Sequence, residues 1–461
     1  MAHLIMMLYA AFFGINGRAT VLLNPVSCSV KCTDEWSSLR NFTVGRDNLL
    51  NNGLASTIEA SASIEEAINE PVAINKPMIF VMSIACALAV ANLYYIQPML
   101  AEMAHGFSVS VSEIGLVATT GQIGYAVGLL LIVPLGDKYN QRKLIVGMLI
   151  AVTVTLILMA LAPSMLLVTI ASFLVGLTTI VPQLIIPYAA NLAPEKARGR
   201  VVGTVMSGLL IGILLARTLS GFVAASLGWR AMYWIAAVMM ILLAVILRFL
   251  LPNDHSQKGS MSYPQLLRSL WDLVREEPVL REVIIFGALA FGAFSAFWVT
   301  LSFLLETPPY HYGSEVAGLF GLVGVAGALA ATYVGKIADR RDPRFANGLS
   351  LVITLVSFIL MWVAGQWFLG LIIGTVLLDL GTQANQVTNQ ARFYSLNAEA
   401  RNRLNTVYMF CYFVGGSIGS LLGTIGWGMA GWNGVSIIAC VLLLISIAIF
   451  ALNTRNMRMR A

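Results

Sequence analysis

Residues 136–143 read Gly-Asp-Lys-Tyr-Asn-Gln-Arg-Lys, and residues 338–344 read Ala-Asp-Arg-Arg-Asp-Pro-Arg. Each stretch sets a carboxylate, Asp137 or Asp339, ahead of spaced cations: Lys138, Arg142 and Lys143 in the first, Arg340, Arg341 and Arg344 in the second. The two aspartates are 202 positions apart. Further along, Arg198 and Arg200 pair with Arg401 and Arg403, and Gln183 with Gln386, each at a spacing of 203. The chain therefore repeats itself once, in parallel, and a repeat of this kind suggests a solute path between two halves.

The repeated charges lie between long apolar runs. Runs are read near 78–100, 111–133, 143–162, 165–189, 201–224, 230–251, 282–305, 314–336, 347–364, 367–390, 405–427 and 431–452. A membrane helix needs about 20 apolar residues, so these are twelve expected spans. The predicted fold is an all-α membrane protein of two six-helix pseudo-repeats, 76–251 and 282–455. They are joined by a polar loop, 252–281, and followed by a tail, 456–461. The Leu-rich stretch 266–271 in that loop predicts a short amphipathic helix on the membrane surface.

Composition agrees. Of 461 residues, 58% are hydrophobic and 11% charged, against about 25% charged in soluble domains. A soluble enzyme, a disordered chain and a disulfide-stapled module are excluded. The net charge of +6 does not mark a nucleic-acid binder, because the basic residues sit between spans. Lys and Arg follow the even spans, with Arg230 the exception among the alternate loops. By the positive-inside rule both termini are expected in the cytoplasm of a bacterial inner membrane.

Residues 1–75 stand apart. Leu4 to Ile15 is apolar but short, and a polar stretch follows. This segment reads as a disordered or dispensable leader, with Met78 as an alternative start; a signal or anchor segment is the other reading. Cys28 and Cys32 lack a second ligand pair, and the four histidines, 3, 105, 255 and 311, form no set, so no metal site is expected. Neither a phosphate-binding loop nor a nucleophile–base constellation is present, so neither ATP drive, a cofactor nor an enzymatic reaction is expected.

Two charges lie deep inside the runs, away from their ends. Span 5 reads Gly208-Leu-Leu-Ile-Gly212-Ile-Leu-Leu-Ala216-Arg217-Thr-Leu-Ser-Gly221. Its small residues recur at every fourth position, which permits close helix contact. Arg217 lies within this span, where a cation is costly unless it faces protein or water. In span 10, Asp379 lies close to mid-membrane, counting inward from Trp367 at 1.5 Å per residue. Burial and a neighbouring cation pull its proton affinity in opposite directions. Arg217, read as the only cation within the spans, is the candidate partner. Each charge is either a coupling or substrate-binding group or a fixed structural one.

The chain resembles the major facilitator superfamily over residues 76–455. The resemblance rests on the loop motif at 137–143, with Val133 and Asn140 at positions that are usually Gly, and on its copy at Asp339, Arg340 and Arg344. The stretches Asn92–Leu100, Leu214–Gly221 and Leu377–Gln390 are similar to bacterial permeases for drug, sugar or metabolite efflux. The resemblance implies transport by alternating access and a conformational latch at the loop motifs. A carboxylate there can cap a neighbouring helix and pair with Arg; the alternative is a solvated loop serving topology alone. Span 5 resembles the antiporter motif but carries Ala216-Arg217 where Gly-Pro is usual.

In the family, spans 1, 4, 7 and 10 line the cavity. This implies substrate contacts from Asn92, Tyr95, Gln97, Gln183, Gln383, Gln386 and Asn389, whose uncharged amides suit polar or mixed solutes. Gln383 and Gln386 share a helix face with Asp379 one turn away. The expected partners are a small-molecule substrate, protons and the lipid bilayer, with a single chain as the working unit. Export against proton entry leads; uptake or facilitated diffusion by the same fold, and a receptor without transport, are the alternatives.

Overall fold

The structure is a computed structural model and describes residues 75–194, 197–252, 262–338, 343–397 and 400–458. The leader, Asp339, Arg340 and Arg341 lie outside the described residues. Among the described residues every regular element is helical. Ten helices among the described residues are long and apolar enough to cross a membrane. One of these, Arg401–Arg455, contains spans 11 and 12, hinged at Ala430 and Gly431. Span 8 lies in Ser314–Ala338, and with it the helices supply the twelve expected passes.

Local chemistry sets the helix starts. The Asn75 side chain accepts from the Met78 amide at 2.9 Å, ahead of span 1. Ser110 and Glu113 form a reciprocal capping box for span 2, Val111–Leu131. Asn140 caps span 3, Gln141–Leu161, at the Lys143 amide. Such oxygens satisfy amide donors that a helix leaves free at its start. Spans 5 (Arg198–Leu227) and 6 (Trp229–Leu250) turn on Gly228, with φ +80°. Spans 11 and 12 turn on Gly431, with φ +57°, 203 positions later. These are backbone angles that side chains with a Cβ rarely adopt.

Proline breaks two spans in the first half. Span 1 divides into Lys76–Ala91 and Ile96–Phe107. Pro98 has no N–H for the Tyr94 carbonyl, which accepts from the Gln97 amide instead. Span 4 divides into Met165–Thr178 and Val181–Leu192, with Pro182 opening the second piece. Spans 7 (Pro278–Glu306) and 10 (Phe368–Tyr394) are continuous.

The two halves pack alike. In the first, span 1 packs on span 5, span 2 on span 4 and span 3 on span 6; in the second, span 7 packs on span 11, span 8 on span 10 and span 9 (Pro343–Ala364) on span 12. A Cβ on Gly212 would stand 2.3 Å from the Ala87 carbonyl, and one on Gly415 would stand 2.3 Å from the Ala288 carbonyl. The same backbone crossing is thus built twice. Exposed Val, Ile, Leu and Phe side chains along spans 3, 6, 9 and 12, among them Leu158, Phe249, Val356 and Leu444, give the apolar outer surface that lipid requires.

The halves meet through spans 2 and 11, 5 and 8, and 1 and 7. Their hydrogen bonds gather toward one end: His105 with Glu306 at 3.1 Å, Ser112 to the Thr424 carbonyl at 3.2 Å, and Ser314 to the Gly221 carbonyl at 3.2 Å. Nearer mid-span, Gln122 donates to Ser420 at 3.4 Å, and the Tyr125 and Phe413 rings are 4.4 Å apart. The opposite end carries Lys138, Arg142 and the inter-half helix Tyr263–Glu276. The expected short helix is present: it buries Leu266 and Leu270 against the bundle and leaves Trp271 exposed. Tyr263 donates to the Leu131 carbonyl at 2.8 Å, and burial pushes its phenol upward in pKa.

Candidate functional site

Arg217 is fully buried. Gly318 and Gly321 of span 8 leave room for its backbone and stem: a Cβ on Gly321 would stand 3.0 Å from the Arg217 Cβ. Its Nε donates to Gln97 Oε1 at 2.7 Å. Its guanidinium carbon lies 3.8 Å from the Trp298 ring centre and 5.0 Å from that of Tyr94, a favourable stacking arrangement for a desolvated cation. Nη1 and Nη2 have no hydrogen-bond partner among the described residues.

Asp379 is the second buried charge, and among the described residues no ion pair within 4 Å joins it to Arg217. Gly324 and Gly327, one and two turns along span 8 from Gly321, face this carboxylate: a Cβ on Gly324 would stand 3.0 Å from Oδ2. The side chain is buried and Oδ2 is unpartnered among the described residues. Arg217 and Asp379 feel each other's charge. Sequence depth alone separates them somewhat; the glycine face of span 8 meets both, Gly321 at Arg217 and Gly324 at Asp379. Three further buried polar atoms without partners among the described residues lie on the same helices: Trp298 Nε1, Ser295 Oγ one turn away on span 7, and Thr382 Oγ1 one turn from Asp379. An aromatic wall continues from it, with Phe291 stacked on Tyr412 at 4.0 Å and beside Phe294 at 5.6 Å.

The expected amides are dispersed. Gln97 is held by Arg217, and Gln183 donates to Tyr125 Oη at 3.3 Å. Gln383 and Gln386 are half-buried and Tyr95 is buried. Asn92 lines a small cavity inside the first half with Leu93, Ile96, Gly121, Ser172 and Tyr233. Neither of its amide atoms has a partner among the described residues. Asn389 donates to Asn385 at 2.7 Å and accepts from Asn347 at 2.8 Å.

That amide chain leads to a second charged cluster, of which the sequence reading singled out only Arg344, as a latch residue. Glu282 is buried and accepts from Arg392 at 2.5 Å and from Arg344 at 3.1 Å, while Arg392 also donates to Asn347 at 2.9 Å. Arg392 was expected in a loop, with Arg217 as the only cation in the spans. Span 10 instead runs on to Tyr394 and buries Arg392 in its last turn, where the helix dipole favours a cation. Of the expected latch residues, Asp137 closes the 3-10 turn Val133–Asp137, and Arg142 donates to the Arg248 carbonyl. Lys138 is half-buried and Lys143 exposed, while Asp339 and Arg340 lie outside the described residues. Among the described residues no three His, Cys, Asp or Glu side chains gather as a metal set.

Twelve passes in two similar halves, with a buried charge pair at their seam, define a multi-pass membrane carrier. The chain belongs to the Major Facilitator Superfamily, whose family model matches residues 82–377 and 313–459. It is 41% identical over 373 residues, 81% of this chain and 94% of the other, to the uncharacterized transporter YgaY of Escherichia coli O157:H7. Its fold is similar to the inward-facing crystal structure of a bacterial homolog to the human lysosomal transporter Spinster. There the TM-score is 0.68 at 15% identity, over 83% of this chain and 98% of that one. A structure of the nucleoside transporter NupG gives 0.69 at 14% identity, over 81% and 98%. The protein is thus a transporter and not an enzyme.

Proposed function

We propose that the chain is a secondary active transporter that moves a small organic solute across the bacterial inner membrane by alternating access, coupled to protons, with a single chain as the working unit. The observation that carries this reading is the Arg217–Asp379 pair: a buried cation on the first half and a buried carboxylate on the second, beside unpartnered polar atoms. An intramembrane charge is costly enough to mark an ion or substrate path, and a carboxylate there can carry a proton through the cycle. The domain limits follow the sequence reading: halves 76–251 and 282–455 about the loop 252–281, with 1–75 a dispensable leader.

The excess of Lys and Arg at the Lys138 end supports a cytoplasmic position for that end and for both termini. With that topology, the hydrogen bonds at the His105 end support an inward-facing reading. The latch role extends to Asp137, Lys138, Arg142 and Lys143 and, in the second half, to Asp339, Arg340 and Arg344. The half-buried Gln183, Gln383 and Gln386 remain substrate contacts, with Asn92, Tyr95, Gln97 and Asn389 behind them. Export of a drug, sugar or metabolite is the leading direction, on the likeness of the cavity helices to efflux permeases. A second reading, uptake by symport, is favoured by Arg217 standing where the antiporter motif has proline.

The test is flux into vesicles of defined orientation holding the whole chain. Radiolabelled organic acids, sugars and lipophilic cations are offered with and without an imposed pH gradient. Gradient-driven accumulation of one class, abolished by Asp379→Asn in protein that remains folded, is expected. Absence of flux for every class overturns transport, and gradient-driven flux unchanged in Asp379→Asn overturns the coupling role.

A further inference from the structure

We infer that Arg217 and Asp379 form a carboxylate-for-proton site: the solute is a monocarboxylate with an apolar body, and its binding is accompanied by uptake of one proton on Asp379. This rests on the transport reading above, not on its direction.

The argument begins with the geometry of Arg217. A guanidinium offers one face pair and a rim of five donors in a fixed fork. One face is stacked on Trp298 at 3.8 Å, and Nε is engaged by Gln97 at 2.7 Å. What remains is the edge carrying Nη1 and Nη2, both buried and both without a partner among the described residues. Two parallel N–H groups match the two oxygens of a carboxylate. Trp298 Nε1 adds a third unpartnered donor, and the hydroxyls of Ser295 and Thr382 can donate as well. Unpartnered donors outnumber unpartnered acceptors around the pair, which favours an anionic solute over a cationic one. A single buried cation balances one negative charge, which favours a monoanion over a phosphate ester. The rings of Phe291, Phe294 and Tyr412 supply an apolar surface for the rest of the molecule.

Proton linkage follows from charge counting. Without solute, the Asp379 carboxylate acts on Arg217 only through space, out of hydrogen-bond reach of its Nη groups. When a second carboxylate takes the Nη edge, two anions share one cation in a low dielectric, and one of them is then driven to accept a proton. The solute holds the bidentate edge, so the proton goes to Asp379, whose Oδ2 is free to take it. No neighbouring charge replaces it. Span 8 presents Gly324 and Gly327 to Asp379, span 7 presents Trp298, and span 9 meets span 10 through Thr354 and Met361 at Gly381 and Gly374. The titratable neighbours are Arg217 of span 5, Tyr412 of span 11 and, beside Arg217, Tyr94 of span 1. Solute and proton bound together travel together, which sides with symport.

The experiment uses the whole chain purified in detergent and weakly buffered. Carboxylates from acetate to phenylacetate are compared with phenylacetamide and phenethylammonium, by ligand-induced thermal stabilisation and by proton uptake with a pH-sensitive dye. Stabilisation by carboxylates and not by the amide or the amine is expected, with one proton taken up per carboxylate bound. Arg217→Gln should weaken carboxylate binding by roughly thirtyfold or more, the loss seen when one partner of a buried charge pair is removed. Asp379→Asn should bind carboxylate with no proton uptake. The wild-type comparison stands even if either variant misfolds. Carboxylates that do not bind, equal binding of the amide, preference for the amine, or binding without proton uptake overturns the assignment. Sugars or cations driven across vesicles in the absence of carboxylate flux would overturn it and leave the transport reading intact.

Discussion

At the scale of single residues, the buried Glu282 makes the sharpest stability claim. It is the shared counter-ion of Arg392 and Arg344, so its removal leaves uncompensated buried charge. Glu282→Gln is expected to destabilise the protein by about 3–5 kcal/mol, read as a fall in the unfolding temperature of the purified protein. The double variant Glu282→Gln with Arg392→Gln should recover part of that loss. The contrast with Arg217 and Asp379 shows what was legible in the sequence. Those two interrupt apolar runs in mid-span, where any charge draws notice. Glu282 and Arg392 sit at span ends, where charge is ordinary and burial depends on how neighbouring helices close over it. Asn347 and Asn389, which join the cluster, carry no charge to mark them. Nor could counting along spans 5 and 10 reveal that Arg217 and Asp379 both face span 8, at Gly321 and Gly324, because a third helix is needed to see it.

At the scale of elements, the close crossings are the points of least tolerance. The Gly212 position lies against the Ala87 backbone, 2.4 Å from its Cα to an added Cβ, so no rotamer of a new side chain relieves the clash. Gly212→Val is expected to push spans 1 and 5 apart and cost about 1–3 kcal/mol, measured as a lowered unfolding temperature. Gly203 has nothing within 4 Å of an added Cβ, and its replacement by Ala should leave that temperature unchanged. The small-residue period of span 5 was readable, and so were the twelve spans and their repeat. The breaks in spans 1 and 4 were foreshadowed only by Pro98 and Pro182, which read as helix bending. The inter-half helix was expected at the lipid surface from its Leu spacing. The same spacing also serves packing on protein, which Leu266 and Leu270 do while Trp271 stays exposed.

At the scale of the molecule, the seam between halves is tied at one end. Replacing His105 and Glu306 by cysteines, in a background with the five native cysteines removed, and bridging them with a short bifunctional thiol reagent should stop solute flux. A cleavable reagent should restore flux on reduction. Undiminished flux in fully cross-linked protein would contradict alternating access through this seam. The four spans that the repeat makes equivalent, 1 and 4 against 7 and 10, are not alike: two are interrupted in mid-span and two run unbroken. A solute held between them therefore meets one wall that can flex at its middle and another that moves only as a piece. Discrimination then belongs to the unyielding wall, which carries Asp379 and Trp298, while tolerance for solutes of different bulk belongs to the jointed one. Evolution could widen the range of cargo on one side of the molecule without disturbing the ion chemistry on the other.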